Sequence, residues 1–390
     1  MRNTRLRDIC EVITKGTTPT TVGFSFVETG INFIKIENID EKGNVDIDNI
    51  AHINEECHAA LKRSQLREGD ILFSIAGAIG RTAIVNNDML PANTNQALAI
   101  IRINDNSVNR EYLRLFLTST VVKKQTERQK QGIAQVNLSL KNIGDLVVNL
   151  PNYTEQGEIV KELNTILLGI NEKKQVVSSL DELVKSRFIE MFGDPILNEK
   201  NWEIQSISNV CEKILGGGTP SKKHPEFYIG SIPWVTPKDM KTSTICDSID
   251  HINEMAIENS TTNLISQSSV LMVIRSGILK HTLPVAINST PVTINQDMKA
   301  FIVGDKILPE FLLYCFKAME SDILGKVRCV TADNIDFKDF LNRQIIIPPI
   351  ELQNEFAEFV KLIDKSKFIV QQQIKDLQEL LDSKMDEYFR

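Results

Sequence analysis

The chain has 390 residues and a mass of 44.0 kDa, enough for two or three domains. With 42% hydrophobic and 24% charged residues it can bury real cores, so a disordered tail is excluded. A net charge of −7 and a pI near 5.5 exclude a uniformly basic nucleic-acid coat, and any basic surface has to be local.

The opening Met1-Arg2-Asn3-Thr4-Arg5 leads into a polar helix pattern without an apolar core, so no signal peptide is expected. No apolar run reaches the roughly 18 residues of a membrane-spanning helix. Cys10, Cys57, Cys211, Cys246, Cys315 and Cys329 contain no CxxC pair, which points to reduced thiols and a cytoplasmic protein. Cys10, and later Cys211, fall on the apolar face of a first helix and read as small buried hydrophobes. Lys15-Gly16-Thr17-Thr18-Pro19 reads as a turn. His52-Ile-Asn54 places Asn54 as a helix N-cap. Asp70–Ile75 and Ala97–Ile101 are short apolar runs bounded by turn residues, hence strands. Asn109–Leu117 reads as a helix with a polar start. The run from Lys123 to Lys130 is locally basic, either a solvated helix end or a phosphate-facing edge. Leu150-Pro151 closes this globular part. A long helix follows over residues 155–192.

The order then repeats. Pro19 lies on Pro220 at an offset of 201, His52 on His251 at 199, Gly77 on Gly277 and Gln96 on Gln296 at 200, and Leu180 on Leu377 at 197. These matches are colinear and drift by only a few residues, so the chain is two copies of one unit of about 200 residues. The second copy predicts a strand at Val270–Ile274, a helix at Pro309–Phe316, the stop Ile347-Pro348-Pro349 and a second long helix over 351–389. The expected domains are 1–150 and 198–348, with helical spacers at 151–197 and 349–390.

In the two long helices the apolar positions alternate by four and three. The first seam is Ile159, Leu163, Ile166, Ile170, Lys173, Val177, Leu180, Val184, Arg187 and Met191. The second, 197 residues on, is Phe356, Val360, Ile363, Lys367, Val370, Ile374, Leu377, Leu381, Lys384 and Tyr388. This is a 3.5-residue repeat, the seam of a coiled coil, and its lysines and arginines would fix register. The expected fold class is mixed α/β (α+β): two similar globular domains separated by an antiparallel two-helix coiled coil, with an internal pseudo-two-fold repeat.

Motifs of catalysis are missing. There is no Asn-Pro-Pro-Tyr or Asp-Pro-Pro-Tyr, no GxGxxG after a strand, no GxxxxGK[ST] and no HExxH. Gly216-Gly217-Gly218 lacks the Lys-Ser/Thr that a phosphate loop needs. The lone histidines offer no metal-ligand spacing, and no metal site is expected.

Four stretches carry a family resemblance: Gly216-Gly-Gly-Thr-Pro220, Ile232-Pro-Trp-Val-Thr-Pro-Lys-Asp-Met240, Asn295-Gln-Asp-Met-Lys-Ala300 and Ile347-Pro-Pro-Ile-Glu-Leu-Gln353. Set in two globular-plus-helix repeats, they resemble the specificity subunit of Type I restriction-modification enzymes over essentially the whole chain. The first half is weaker, with Gly30–Ile39 in place of the Pro-Trp stretch. The family's Glu-Gln after the proline stop is Glu155-Gln156 in one copy and Leu352-Gln353 in the other. The resemblance implies a non-catalytic subunit whose two target-recognition domains each read half of a split, non-palindromic sequence in double-stranded DNA. It implies two DNA-methyltransferase subunits as partners, which would hold the S-adenosylmethionine, and a motor-nuclease restriction subunit. No cofactor is expected in this chain itself. A self-contained methylase or nuclease is disfavoured by the missing motifs. A coiled-coil scaffold with non-DNA-binding domains stays open.

Candidate DNA contacts are polar residues at matching loop positions. Amides can read adenine bidentately, and Arg or Lys can read guanine or meet phosphate. In the first copy these are Lys15, Thr17, Lys35, Arg81, Asn95, Gln96 and Gln135. In the second they are Thr219, Lys222, Lys238, Arg275, Lys280, Asn295, Gln296, Lys299 and Arg328. The Asn-Gln pairs have a second reading, in which they tie their own loops together. The helix residues expected to hold the spacer and its partners are Leu163, Ile170, Val177, Leu180 and Val184 with Val360, Ile363, Val370, Leu377 and Leu381.

Overall fold

A computed structural model describes residues 2–128, 138–325, 328–329 and 333–390. The chain divides into two compact units, Met1–Lys174 with Gln372–Arg390, and Gln175–Gln371.

The first unit begins with a strand, Arg2–Arg5, paired antiparallel with Val147–Leu150, so the two ends of the globular part close on each other. This corrects the expected polar helix: only the single 3-10 turn Leu6–Ile9 follows. Cys10 accordingly opens the strand Cys10–Lys15, and Cys211 opens Cys211–Gly216, neither lying on a helix. Both stay shielded, and burial raises each thiol to about 12.

A four-stranded antiparallel sheet runs in the order Cys10–Lys15, Leu98–Ile103, Ile71–Ser74, Thr82–Ile84. Side chains alternate across it, as a strand's period of two requires. Ile71, Phe73, Ala99 and Ile101 enter one core, and Leu72, Leu98 and Ile100 enter another. Both faces are covered, which is why these strands read as unbroken apolar runs. A second sheet places Ile31–Ile34 between Ala51–Ile53 (antiparallel) and Ala92–Thr94 (parallel). The other unit repeats the plan. Its larger sheet runs Cys211–Gly216, Met298–Val303, Val270–Val273, Val285–Asn288, Thr244–Ile245. Its smaller one runs His251–Ile252, Ile232–Val235, Val292–Ile294, Leu264–Ile265. Asn54 is an N-cap as expected, and so is its counterpart Asn253, the two accepting from the amides of Cys57 (2.8 Å) and Ala256 (3.0 Å).

The long helices are Tyr153–Phe192 and Ile350–Phe389, 40 residues each. Each is fastened at its start by a fully buried glutamine. Gln156 accepts from the Asn109 amide (2.8 Å) and donates to the carbonyls of Ser107 and Pro151 (both 2.9 Å). Gln353 repeats this with Leu308, Lys306 and Pro348.

Inside each unit the two helix segments run antiparallel. In the first, Lys173 reaches Gln373 (2.7 Å) and Glu162 reaches Lys384 (3.3 Å). In the second, Asp181 reaches Lys367 (2.7 Å) and Arg187 reaches Glu355 (2.9 Å). The polar seam positions are therefore answered by polar groups on the opposing helix. Leu163, Ile170, Val184, Val360, Ile363 and Leu381 are buried, while Val177, Leu180, Val370 and Leu377 are half-buried, because two helices alone cannot enclose a seam. The seam's last positions are corrected by one residue. Phe188 and Phe192 are buried instead of Arg187 and Met191, and Met385 and Phe389 instead of Lys384 and Tyr388. Here each helix also packs into a globular core. Phe389 packs on Tyr112 and Phe116, with ring centroids 5.2 and 5.7 Å away. Phe192 packs on Phe311 at 4.8 Å.

Candidate nucleic-acid interface

The repeated glycine-threonine and Asn-Gln motifs meet in one junction in each unit. A Cβ at Gly16 would sit 2.0 Å from the Thr94 carbonyl, and one at Gly217 would sit 2.1 Å from the Ile294 carbonyl, so only glycine lets these backbones touch. The Thr18 hydroxyl then donates to Gln96, and the Thr219 hydroxyl to Gln296. Asn95 accepts from the Ala97 amide (3.1 Å), and Asn295 from the Asp297 amide (3.1 Å). Asn95 and Asn295 thus tie their own loops, the second of the two readings above, while Gln96 and Gln296 tie those loops to the glycine-threonine turns.

On this common frame the two units carry different side chains. Ile75 donates to the Ala97 carbonyl and Ile274 to the Asp297 carbonyl, both at 2.8 Å, which sets Asp297 against Ala97. Sheet register sets Lys299 against Ala99, since they face Gly216 and Lys15. The residues after Ile75 and Ile274 are Ala76 and Arg275, an offset of 199 that corrects the alignment of Gly77 with Gly277 by one residue, because these backbone bonds match Ile75 to Ile274. Three alanines in one copy are therefore Arg, Asp and Lys in the other.

Arg275 and Lys299 line a cleft of about 480 Å³ in the second unit, together with Ile274, Gln296, Asn334 and Phe337 among others. The Arg275 guanidinium donates through Nε to Asp297 Oδ1 (2.6 Å), with Nη2 2.5 Å from the same oxygen. Lys299 Nζ stands 5.0 Å over the Phe337 ring, a cation–π contact that holds an ammonium at the cleft wall.

The other expected contacts are placed variously. Lys15 is exposed at the end of its strand, and Thr17 is half-buried, its amide bonded to the Thr94 carbonyl (3.0 Å). Lys35 sits 4.7 Å over the Phe26 ring, with Glu37 at 3.7 Å. Arg81 donates to the carbonyls of Ile39 (3.0 Å) and Ile36 (3.5 Å), tying backbone together. Lys222, Lys238 and Lys280 are exposed. Arg328 pairs its backbone with Asn334 in a two-stranded antiparallel sheet. Gln135 lies outside the described residues, as does Lys130. Of the basic run, Lys124 meets Asp386 (3.2 Å), and Gln125 exchanges two hydrogen bonds with the Val147 backbone (2.9 Å each), so one face of that helix is structural. Sequence reading missed Asp297, because an acid argues against a DNA contact, and Phe337.

The family model described as the Type I restriction modification DNA specificity domain matches residues 1–177 and again 199–379. The EcoR124I/EcoR124II specificity subunit of Escherichia coli, a Type I restriction enzyme component, is 38% identical over 178 residues. That match spans 45% of this chain and 43% of the relative, less than half of either. The MjaIX specificity subunit of Methanocaldococcus jannaschii is 24% identical over 345 residues, 83% of this chain and 78% of that one. In fold, a chain solved in a study of type I R-M complex assembly and conformational transition superposes with a TM-score of 0.59. It is 18% identical, and the match covers 100% of this chain and 97% of that one.

Proposed function

Because the chain belongs to the Type I restriction-modification DNA specificity family, we propose that it is the non-catalytic subunit that selects the DNA target for partner methyltransferase and restriction subunits. Each globular domain reads one half of a split, non-palindromic site. The carrying observation is the repeated junction with unlike decoration: the same glycine, threonine and glutamine frame, holding Ala76, Ala97 and Ala99 in one copy and Arg275, Asp297 and Lys299 in the other. A frame held constant while the polar groups change is what two readers of different sequences need.

The long helices set the spacing of the half-sites and carry the partners. A helix is a stiff spacer, whereas a flexible linker would leave the distance open. In the second unit Leu362, Phe368 and Ile369 are large apolar side chains 58–62% exposed on a helix, the kind of surface that a partner protein covers. Two methyltransferase subunits dock on the helices and hold the S-adenosylmethionine, and a motor-nuclease subunit joins them in the cytoplasm.

The test is to express the chain with its partner methyltransferase in a host free of DNA methylation and to map methylated bases across the genome. One bipartite, asymmetric motif is expected, and the isolated chain should bind no S-adenosylmethionine. Methylation by the chain alone, or at a continuous palindrome, would contradict the proposal.

A further inference from the structure

Resting on the reading just given, we propose that Arg275 recognises a guanine in the half-site of the second domain, with Asp297 as its positioning residue, and that the first domain has no equivalent contact. The argument starts from how Arg275 is held. Its amide donates to the Asp297 carbonyl (3.2 Å), and its side chain donates to the Asp297 carboxylate (2.6 Å). The other carboxylate oxygen, Oδ2, accepts from the amide nitrogen of Asn295 (3.2 Å). Asn295 is itself only 7% exposed and accepts from the Asp297 backbone. The buried asparagine fixes the aspartate, and the aspartate fixes the arginine.

The grip uses the Nε and Nη2 side of the guanidinium. Among the described residues nothing bonds Nη1 or the outer hydrogen of Nη2, which leaves that end for a ligand outside the chain, and the side chain is 49% exposed. That end is a planar fork of two donors, the complement of guanine O6 and N7 in the major groove. Adenine offers a donor in place of O6, and the pyrimidines present no such acceptor pair.

A base fits this geometry better than a phosphate. An arginine already paired with a carboxylate is nearly neutral as a unit, so it gains little from a phosphate's charge, and Asp297 would repel the anion. What the pair keeps is direction, because a clamped guanidinium has few rotamers left to lose on binding. Lys299, held over Phe337 in the same cleft, is the better candidate for charge. In the first unit Ala76 and Ala97 occupy the two positions, and neither donor nor clamp exists there.

The experiment maps methylated motifs for the wild-type complex and for Arg275→Ala and Asp297→Asn, each checked for folding by thermal denaturation. In Arg275→Ala one G·C position of one half-site should accept other bases, discrimination there falling about 5- to 150-fold, with the other half-site unchanged. In Asp297→Asn, which keeps shape but loses the charged clamp, the same position should relax less. An unaltered motif with weaker methylation at every site would make Arg275 a phosphate contact and overturn the proposal, as would relaxation at an A·T position. If the wild-type complex yields no bipartite motif, the underlying reading fails instead.

Discussion

Gln156 and Gln353 show how one side chain can join an element to a domain. Each is fully buried, and each satisfies one backbone donor and two backbone acceptors. Truncation to alanine would leave those groups buried without partners, at a cost of roughly 2–4 kcal/mol. We expect Gln156→Ala and Gln353→Ala each to lower the denaturation midpoint of the purified complex, and Gln→Glu to be no rescue, since a carboxylate cannot donate to two carbonyls. A midpoint unchanged in both alanine variants would show that the glutamines are incidental. Both glutamines stand out in the sequence beside the proline stops, but their role does not, because the partners in the loop lie 45 to 49 residues away. The Arg275–Asp297 pair was hidden for a related reason. The basic residue was legible as a contact, while its acidic anchor, 22 residues on, looked like the wrong charge for DNA.

The long helices were legible in period and register because a 3.5-residue repeat is a local property of the chain. The residue shift at their ends was not, because Phe188, Phe192, Met385 and Phe389 enter cores that join globular side chains to the facing helix, and the globular partners are remote in sequence. The same junction should respond to pH. The Thr120 hydroxyl, then Lys124, holds the Asp386 carboxyl below the usual carboxylate range, and the Tyr388 hydroxyl, then Lys384, does the same for Glu162. A carboxylate whose folded-state pKa is lowered adds stability that is complete above its unfolded value and is lost as pH falls through the folded one. The end of the second long helix should therefore loosen from the first unit below about pH 4. Asp386→Asn should flatten that acid-side decline while changing little near neutrality beyond a uniform offset. Denaturation midpoints measured from pH 7 down to pH 3 check this, and a wild-type profile that rises on acidification would have the wrong sign.

For the whole molecule, duplication explains why the two units share a frame and differ in what the frame presents. The repeat was visible in the sequence as colinear matches. The paired sheets were visible only as unbroken apolar strands, since neither pairing order nor the Gly16 and Gly217 contacts can be read from one strand alone. If the helices measure the target, inserting one heptad at matched points in both, after Lys173 and after Val370, keeps the seam. It lengthens each helix by about 10 Å, or about three base pairs of DNA rise. The methylated motif should keep both half-sites and gain spacer length. An unchanged spacer at full activity would place the ruler elsewhere.

The most direct test of two independent readers in one chain is a domain exchange. Residues 1–150 are replaced by the corresponding domain of a relative with a known target, and the methylated motif of the hybrid complex is sequenced. The account predicts that one half-site becomes the relative's while the other half-site stays that of the parent. A hybrid that folds and methylates but changes both halves, or neither, would contradict it.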